Sequence, residues 1–395
     1  MRILIINTDY PKFLHQMYRD NLGLEHASYD AQMAVRNDTL FGVADFYSKN
    51  FRALGHTAIE VHVNNRSIQY AWAREHGVNI EPPVKPEENG GATAGTSLRQ
   101  AVKALLRPML GPLLRNLRPI RLPEWEARLL AAQIADFNPD IILNQEMGYI
   151  DNRTLKLLKP PGAVVMGQIA ATLPSDTDFS AYDLVISSLP NLVEWFRSHG
   201  VRAEVNRLAF EPSILEKLGP APHRDVDISF VGSLSPEHGG RIRLLEAIAR
   251  RLPLKIWGNS IKMLPPGSPL RACYQGEAWG REMYEVMRRS RITLNNHLDL
   301  AGDWANNMRL YEATGMGTML LTDAKRNLRE IFVPGVEVVT YRDVEDCVAQ
   351  ARHYLDDEPA RAAIAAAGQR KAIHVQNYAG RAAEIVALAQ ELRRG

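Results

Sequence analysis

The stretch NNMRLYEATGMGTMLLTD, from Asn306 to Asp323, reads as a capped helix, a glycine-bounded turn and a short apolar strand. Asn306 and Asn307 are N-cap residues, whose side-chain oxygens accept hydrogen bonds from the first free backbone N–H groups of a helix. The remaining N–H groups and the positive end of the helix dipole suit a diphosphate, and Arg309, one turn in, adds a forked cation of matching geometry. Arg309 and Glu312 stand at i and i+3, so they are neighbours on one face. Glu312 can then stay ionised beside the guanidinium while its oxygens accept from a vicinal diol such as a ribose. Gly315 and Gly317 are expected to stop the helix, and Met319 to Leu321 to form the next buried strand. A capped helix with a surface Arg–Glu pair is the plainer reading. The coincidence of Asn-Asn, Arg, Glu and two glycines favours a nucleotide-holding element.

This block resembles the donor-binding helix of GT-B glycosyltransferases, in particular the bacterial group related to the spore-maturation protein CgeB and, more distantly, retaining family-four enzymes. The resemblance covers most of the chain. Its specific motifs lie between about Val226 and Gly335, whereas phrases such as FGVADFYSKNFRALGH and GQIAATLP match only in outline. It implies an α/β fold of two Rossmann-like domains whose parallel sheets face a central cleft, with a C-terminal helix crossing back onto the N-terminal domain. It also implies that Glu312, in a phrase of the form xxEAxxxG, holds the donor ribose. Retaining relatives carry a first Glu separated from this one by seven residues; here that position is Trp304, with Asp303 beside it. Retention or inversion of the anomeric centre therefore stays open.

Composition sets the outer limits. A chain of 395 residues at 46% hydrophobic is too long for one ordinary core, so two domains of similar size are expected. A formal net charge of +2 gives no global reason to invoke nucleic acid. Cys273 and Cys347 lie far apart without metal-type spacing, so neither a disulfide framework nor a zinc site is indicated. The opening MRILIINTDY lacks a signal peptide's apolar core, and no run approaches the roughly 18 apolar residues of a spanning helix. The expected compartment is the cytoplasm.

Two α/β halves follow from the alternation of apolar runs and amphipathic segments. In the first, Arg2–Asn7, Thr57–Val63, Asp140–Asn144, Ala163–Gln168 and Asp183–Ser187 are expected strands, with an amphipathic segment at Asp38–Leu54 and helices at Asn152–Leu158 and Asn191–His199. In the second, the strands are Val226–Val231, Leu254–Trp257, Arg291–Asn295, Thr318–Leu321 and Glu337–Thr340. The expected domains are residues 1–210 on the acceptor side, with a basic insertion at 98–123, and 226–375 for the nucleotide sugar. Residues 211–225 would link them, and a last helix at 376–395, after a break at Gly380, would return to the first domain.

Other candidate chemistry sits at strand ends, where open α/β sheets hold ligands. Phe230-Val231-Gly232-Ser233 leads through Ser235, Pro236 and Gly239-Gly240 into a helix opening with Arg241 and Arg243. Glycine there lets backbone N–H groups approach a phosphate, and Arg241 is the second expected phosphate ligand; an ordinary βα turn is the competing reading. Trp257-Gly258 could flank a base or simply pack. Asn296 and His297 close the following strand at the same edge, as phosphate neighbours or as loop polar residues. In the first half Asp9, Tyr10, His15, Gln145, Glu146 and Gln168 would line the acceptor side. Glu146 and Asp9 are the candidate bases for inversion, though polar residues commonly end strands without chemical duty. Asp176-Thr177-Asp178 mimics a metal motif of another glycosyltransferase fold and reads here as a turn.

Residues 98–123 carry Arg99, Lys103, Arg107, Arg115, Arg118 and Arg121 among apolar residues and no acid. That pattern suits peripheral contact with an anionic membrane or an interdomain lid. Nucleic acid is disfavoured because no aromatic is available for base stacking. The expectation is a metal-independent glycosyltransferase without a cofactor. It would use a nucleotide-diphosphate sugar as donor and a carbohydrate, lipid-linked or protein acceptor, in polysaccharide or glycoconjugate synthesis. A nucleotide-sugar epimerase or hydrolase on the same fold is the nearest alternative, and a non-catalytic sugar or nucleotide binder is the alternative of a different class.

Overall fold

The computed structural model describes residues 1–80, 122–173, 178–235, 239–297 and 301–394. Two six-stranded sheets carry the chain. The first contains Arg2–Asn7 (β1), Thr57–His62 (β2), Ile141–Asn144 (β3), Val164–Gln168 (β4), Leu184–Ser187 (β5) and Ala203–Val205 (β6), in the order β2-β1-β3-β4-β5-β6. The second contains Val226–Val231 (β7), Leu254–Trp257 (β8), Tyr274–Gly276 (β9), Ser290–Asn295 (β10), Met319–Asp323 (β11) and Val339–Tyr341 (β12), in the order β12-β11-β10-β7-β8-β9. The pairs β1–β3 and β3–β4 and every pair of the second sheet run parallel. Such strands are covered by helices on both faces, so they read as unbroken apolar runs. All four residues of β3 and of β5 are buried.

The chain forms two compact units, Met1–Gln32 with Ile59–Val185, and Met33–Ala58 with Ile186–Gly395. The first is centred on Leu4, Ile6, Val61, Ile142 and Val165 from its strands, against Leu130, Ile134 and Phe137 of the Glu124–Phe137 helix. The second is centred on Ile228, Phe230, Ile256, Ile292, Leu294 and Leu321, against Leu245, Ile248 and Val348. Within this second unit the final helix, Tyr378–Arg394, lies on the Phe46–Ala53 helix. The Tyr378 ring centroid is 5.2 Å from that of Phe46 and 5.0 Å from that of Tyr47. Aromatic pairs at such separations add to the burial of large apolar area. The last helix thus packs on residues that come early in the sequence but belong to its own compact unit.

Several local expectations are corrected. Asp38–Leu54 is not one helical segment: the Tyr29–Asp38 helix ends there, and Leu40, Gly42 and Ala44 take positive φ of 60°, 63° and 39° before the next helix starts at Phe46. Gly315 is the last residue of the Met308–Gly315 helix rather than its stop; Gly317, at φ 70°, supplies the left-handed residue that turns the chain into β11. Gly380 does not break the tail either. The Glu358–His374 helix ends at Val375, and the Asn377 Oδ1 accepts from Gly380 N at 2.9 Å, capping a helix in which Gly380 is the third residue. The short strands β6 and β9 and the Ser213–Leu218 helix were not anticipated. Residues 98–121, Pro236 and Asp176-Thr177 lie outside the described residues. Among the described residues no helix is long and apolar enough to cross a membrane.

Candidate functional site

The second sheet grows from β7 outward through β8 and β9, and the chain then returns to β10 on the other side of β7 before adding β11 and β12. The crevice at the C-terminal ends of β7 and β10 is therefore a topological switch point, the place where open parallel sheets take ligands. Gly232 and Ser233 follow β7, Asn296 and His297 follow β10, and Gly258 follows β8 at Trp257. Parallel pairing brings all of these to one edge of the second unit. Trp257 is half-buried, and Gly258 is buried against the carbonyl of Gly232, which an added Cβ would approach to 1.9 Å.

Arg241, in the first turn of the Gly239–Ala249 helix, sits across this crevice. Its Nη2 donates to the Asn296 carbonyl at 2.7 Å and its Nη1 to the Ser233 carbonyl at 3.4 Å, and its guanidinium lies 5.7 Å from the Phe230 ring centroid. The cation thus ties the loop after β7 to the loop after β10. Its side chain is 9% exposed, so these backbone acceptors carry much of what keeps a charge tolerable there.

The Met308–Gly315 helix follows β10. Asn307, not Asn306, is the N-cap, and its Oδ1 accepts from Leu310 N at 3.3 Å. The Asn307 amide is itself oriented by Asn295, whose Oδ1 accepts from Asn307 Nδ2 at 2.8 Å, and Asn295 Nδ2 donates to Thr322 Oγ1 at 2.9 Å. Arg309 and Glu312 meet as their spacing requires: Nη1 donates to Glu312 Oε2 at 2.6 Å. Burial raises the Glu312 carboxyl above its ordinary range, while the Arg309 charge and a hydrogen bond with Tyr284 act in the opposite direction. Tyr284, from the Arg281–Arg289 helix, carried no sequence signal, because an amphipathic helix reads the same whether its inward tyrosine meets a leucine or a carboxylate.

His297 is fully buried, and its Nδ1 lies 2.7 Å from Asp323 Oδ1, which also accepts from the His297 backbone N at 3.0 Å. Lys325 Nζ stands 3.3 Å from Asp323 Oδ2. Burial alone would raise the Asp323 carboxyl; the His297 hydrogen bonds and charge, with Lys325, more than offset it and hold it below the ordinary aspartate range. Asp323 ends β11 at the same edge as the other candidates, which is the signal that could have found it. A carboxylate depressed in the folded state contributes stability that is present above its unfolded value and lost as pH falls through its folded one. Asp323→Asn is expected to flatten the acid side of the stability curve, measured as urea midpoints between roughly pH 6 and pH 3, while lowering stability at neutral pH. Parallel acid limbs for the two proteins would remove Asp323 as their cause.

The first unit has its own polar edge. Asp9 is fully buried, 3.3 Å from His62 Nδ1 through Oδ2, and the Asn64 side chain clamps its backbone, Oδ1 accepting from Asp9 N and Nδ2 donating to Asp9 O, each at 2.8 Å. Glu146, after β3, is held above the ordinary carboxylate range by burial, with Thr8 hydrogen bonds acting against this and the Asp9 charge adding to it. Gln145 Nε2 donates to Gln168 Oε1, joining the ends of β3 and β4. Tyr10 is 63% exposed and His15 lies on the Pro11–Asp20 helix beyond it. His62, Asn64 and Asn65 were missed in the sequence because they are single polar residues at the end of a strand.

A family described as glycosyl transferase-like matches residues 241–387. By structure the chain is similar to AviGT4, a glycosyltransferase involved in avilamycin A biosynthesis, with a TM-score of 0.57 at 16% identity over 100% of this chain and 98% of that one. It is similar to Anabaena HepE in complex with UDP and glucose, with a TM-score of 0.56 at 14% identity over 99% and 100%. Sucrose-phosphate synthase from Thermosynechococcus elongatus gives a TM-score of 0.55 at 11% identity over 99% of each chain. No curated protein matches in sequence. The chain has the GT-B fold, and its residues 241–387 are similar to the glycosyl transferase-like family.

Proposed function

We propose that the protein is a glycosyltransferase of hexosyl type. It would move a sugar from a nucleotide-diphosphate sugar to a hydroxyl or similar nucleophile of a carbohydrate, lipid-linked or protein acceptor, in bacterial glycoconjugate synthesis. One observation carries this reading: the glycosyl transferase-like match, residues 241–387, contains Arg241, Trp257, Gly258, Asn296, His297 and the Asn307-capped helix, and these gather at one switch-point crevice. HepE, of the same fold, was solved with UDP and glucose, which supports a nucleoside diphosphate as the leaving group. The phrase from Asn306 to Gly317 supports a place near the CgeB-like group.

In this reading the helix N-terminus behind Asn306 and Asn307 and the Arg309 guanidinium take the diphosphate, with Gly232 and Ser233 beside it. Glu312 takes the ribose. Arg241 serves the site through the two loops that it ties together. Catalysis comes from holding donor and acceptor together and from stabilising charge on the departing diphosphate, a task for which arginine and helix N–H groups suffice without a metal. On the acceptor side Glu146 is the better base: burial brings its proton affinity closer to neutrality, whereas Asp9 is enclosed with His62.

A thermal-shift and calorimetric panel of UDP, GDP, TDP, CMP and ADP tests the reading, because a ligand of the folded state at about 100 times its Kd raises stability by roughly 2.7 kcal/mol. No response to any nucleotide would end it, and product formed without an acceptor would replace transfer by epimerisation or hydrolysis. Arg309→Ala is expected to weaken a nucleoside diphosphate much more than the bare nucleoside, with Arg309→Lys restoring only part, since lysine keeps the charge and loses the fork. An unchanged ratio of the two affinities would put the phosphates elsewhere.

A further inference from the structure

Outside the nucleotide crevice, the first unit holds an open cavity of about 370 Å³ whose polar lining is His15, Arg19, Asn64, Asn65, Arg66 and Ser67, with Leu14 and Tyr18 completing the wall. Its charge is of one sign: among the described residues lining it, three carry basic side chains and none is acidic. His15 and Arg19 come from the Pro11–Asp20 helix at i and i+4, and therefore share a face. Arg66 and Ser67 open the Arg66–Glu75 helix, capped by Asn65, whose Oδ1 accepts from Ile68 N at 3.3 Å. The positive end of a ten-residue helix thus lies at the wall of a space that two arginines also line.

The walls are fixed. Tyr18 sets its hydroxyl 2.9 Å from Asn65 Oδ1 and 2.8 Å from Gln32 Oε1, and the Arg66 guanidinium lies 5.5 Å from the Tyr70 ring centroid. Arg19 Nε pairs with Asp20 Oδ1 at 2.9 Å, but both partners are exposed, and such pairs hold an arginine weakly. Asn64, which lines the cavity, is also the clamp on Asp9, and Asn65 Nδ2 reaches Asp9 Oδ2 at 3.5 Å. The cavity therefore shares a wall with the loop that carries Asp9 and Tyr10.

We infer that this cavity is the subsite for a phosphate group on the acceptor. The inference rests on the transferase reading for the word acceptor, and on the cavity alone for the phosphate. Two forked cations and a helix N-terminus match a tetrahedral dianion better than a carboxylate, and the volume suits a phosphate with a sugar-sized body attached. The phosphate belongs either to a soluble phosphorylated sugar or to a lipid headgroup.

Calorimetry with inorganic phosphate, a hexose 6-phosphate and the same unphosphorylated hexose separates the cases, alongside sedimentation with phosphatidic-acid and neutral vesicles. The phosphorylated probes are expected to bind where the hexose does not. Arg19→Ala and Arg66→Ala should each weaken them roughly tenfold, the size of one lost hydrogen bond to a charged group, with nucleotide affinity unchanged. Vesicle binding abolished by these substitutions assigns the phosphate to a lipid; binding of hexose 6-phosphate alone assigns it to a soluble acceptor. Both arginines are exposed, so folding is not at issue, and an unaltered melting curve confirms that. Phosphate probes that fail to bind, or that bind both variants as they bind the wild type, overturn the inference even if UDP binds. Nucleotides that fail to bind while the phosphate probes succeed overturn the transferase reading instead.

Discussion

Replacing Glu312 with glutamine is expected to lower nucleoside diphosphate affinity by roughly 30-fold or more while leaving the protein folded, because two hydrogen bonds to a carboxylate are worth about 2 to 4 kcal/mol. The carboxylate accepts from Arg309 Nη1 at 2.6 Å and is hydrogen-bonded to Tyr284, leaving about two of its roughly four acceptor positions for a vicinal diol. Its raised proton affinity gives a second readout. A carboxyl whose folded value lies above its unfolded one binds protons more readily in the folded state. The folded protein is therefore stabilised below that window and loses the contribution as pH rises through the folded value. Ribose binding needs the ionised form, so nucleotide affinity should improve over the same rise in pH, and this dependence should vanish in Glu312→Gln. A carboxylate that merely balances Arg309 would behave differently. Its loss would leave a guanidinium only 15% exposed without a counter-charge, lowering the melting temperature and leaving nucleotide affinity alone. That second pattern would sink the ribose role.

The parts that could be read in the sequence were those written in local pattern. A buried parallel strand reads as a continuous apolar run, so β1 stands where Ile3 to Ile6 place it, while β7 and β8 keep enough apolar positions to be read although Asp227, Ser229 and Lys255 interrupt them. The Arg309–Glu312 pair was legible because helical spacing alone makes neighbours of i and i+3. What depends on long-range contact was not. Nothing local announces that Met33–Ala58 joins the second unit, where Arg281 N donates to the Thr39 carbonyl at 2.8 Å and an added Cβ on Gly280 would come within 2.1 Å of it. Likewise His297 looked like a loop residue. Its partner Asp323 is 26 positions away, and only the neighbouring register of β10 and β11 brings them together. For Arg241 the sequence offers only a place at a helix start and the expectation of a phosphate ligand, whereas the backbone carbonyls that engage it belong to two loops whose approach is set by sheet order.

Gly258→Ala is expected to cost several kcal/mol of stability and, in protein that still folds, to abolish nucleotide binding, although the added group is one methyl. The Cβ would lie 1.9 Å from the Gly232 carbonyl oxygen and 3.1 Å from its carbon, and both obstacles are backbone. Relief requires the ends of β7 and β8 to part. They are held by the register Val231↔Trp257 and by Gly232 N donating to the Trp257 carbonyl at 3.0 Å, and Gly258 N, donating to the Gly276 carbonyl at 2.9 Å, ties the end of β8 to β9 on its other side. Overpacking of a well-packed site costs about 1 to 3 kcal/mol, and each backbone hydrogen bond lost in a buried place adds roughly 1 to 3 more. The same displacement carries Gly232 and Ser233 away from the crevice, so the effect on the proposed diphosphate site is built into the structural one. Gly267→Ala is the matched control: its Cβ meets nothing within 4 Å. Urea midpoints of the two variants should differ widely, with Gly267→Ala close to the wild type. Equal midpoints would mean that β7 and β8 can separate freely, and the crevice would then lack the rigid floor on which the proposed nucleotide site depends.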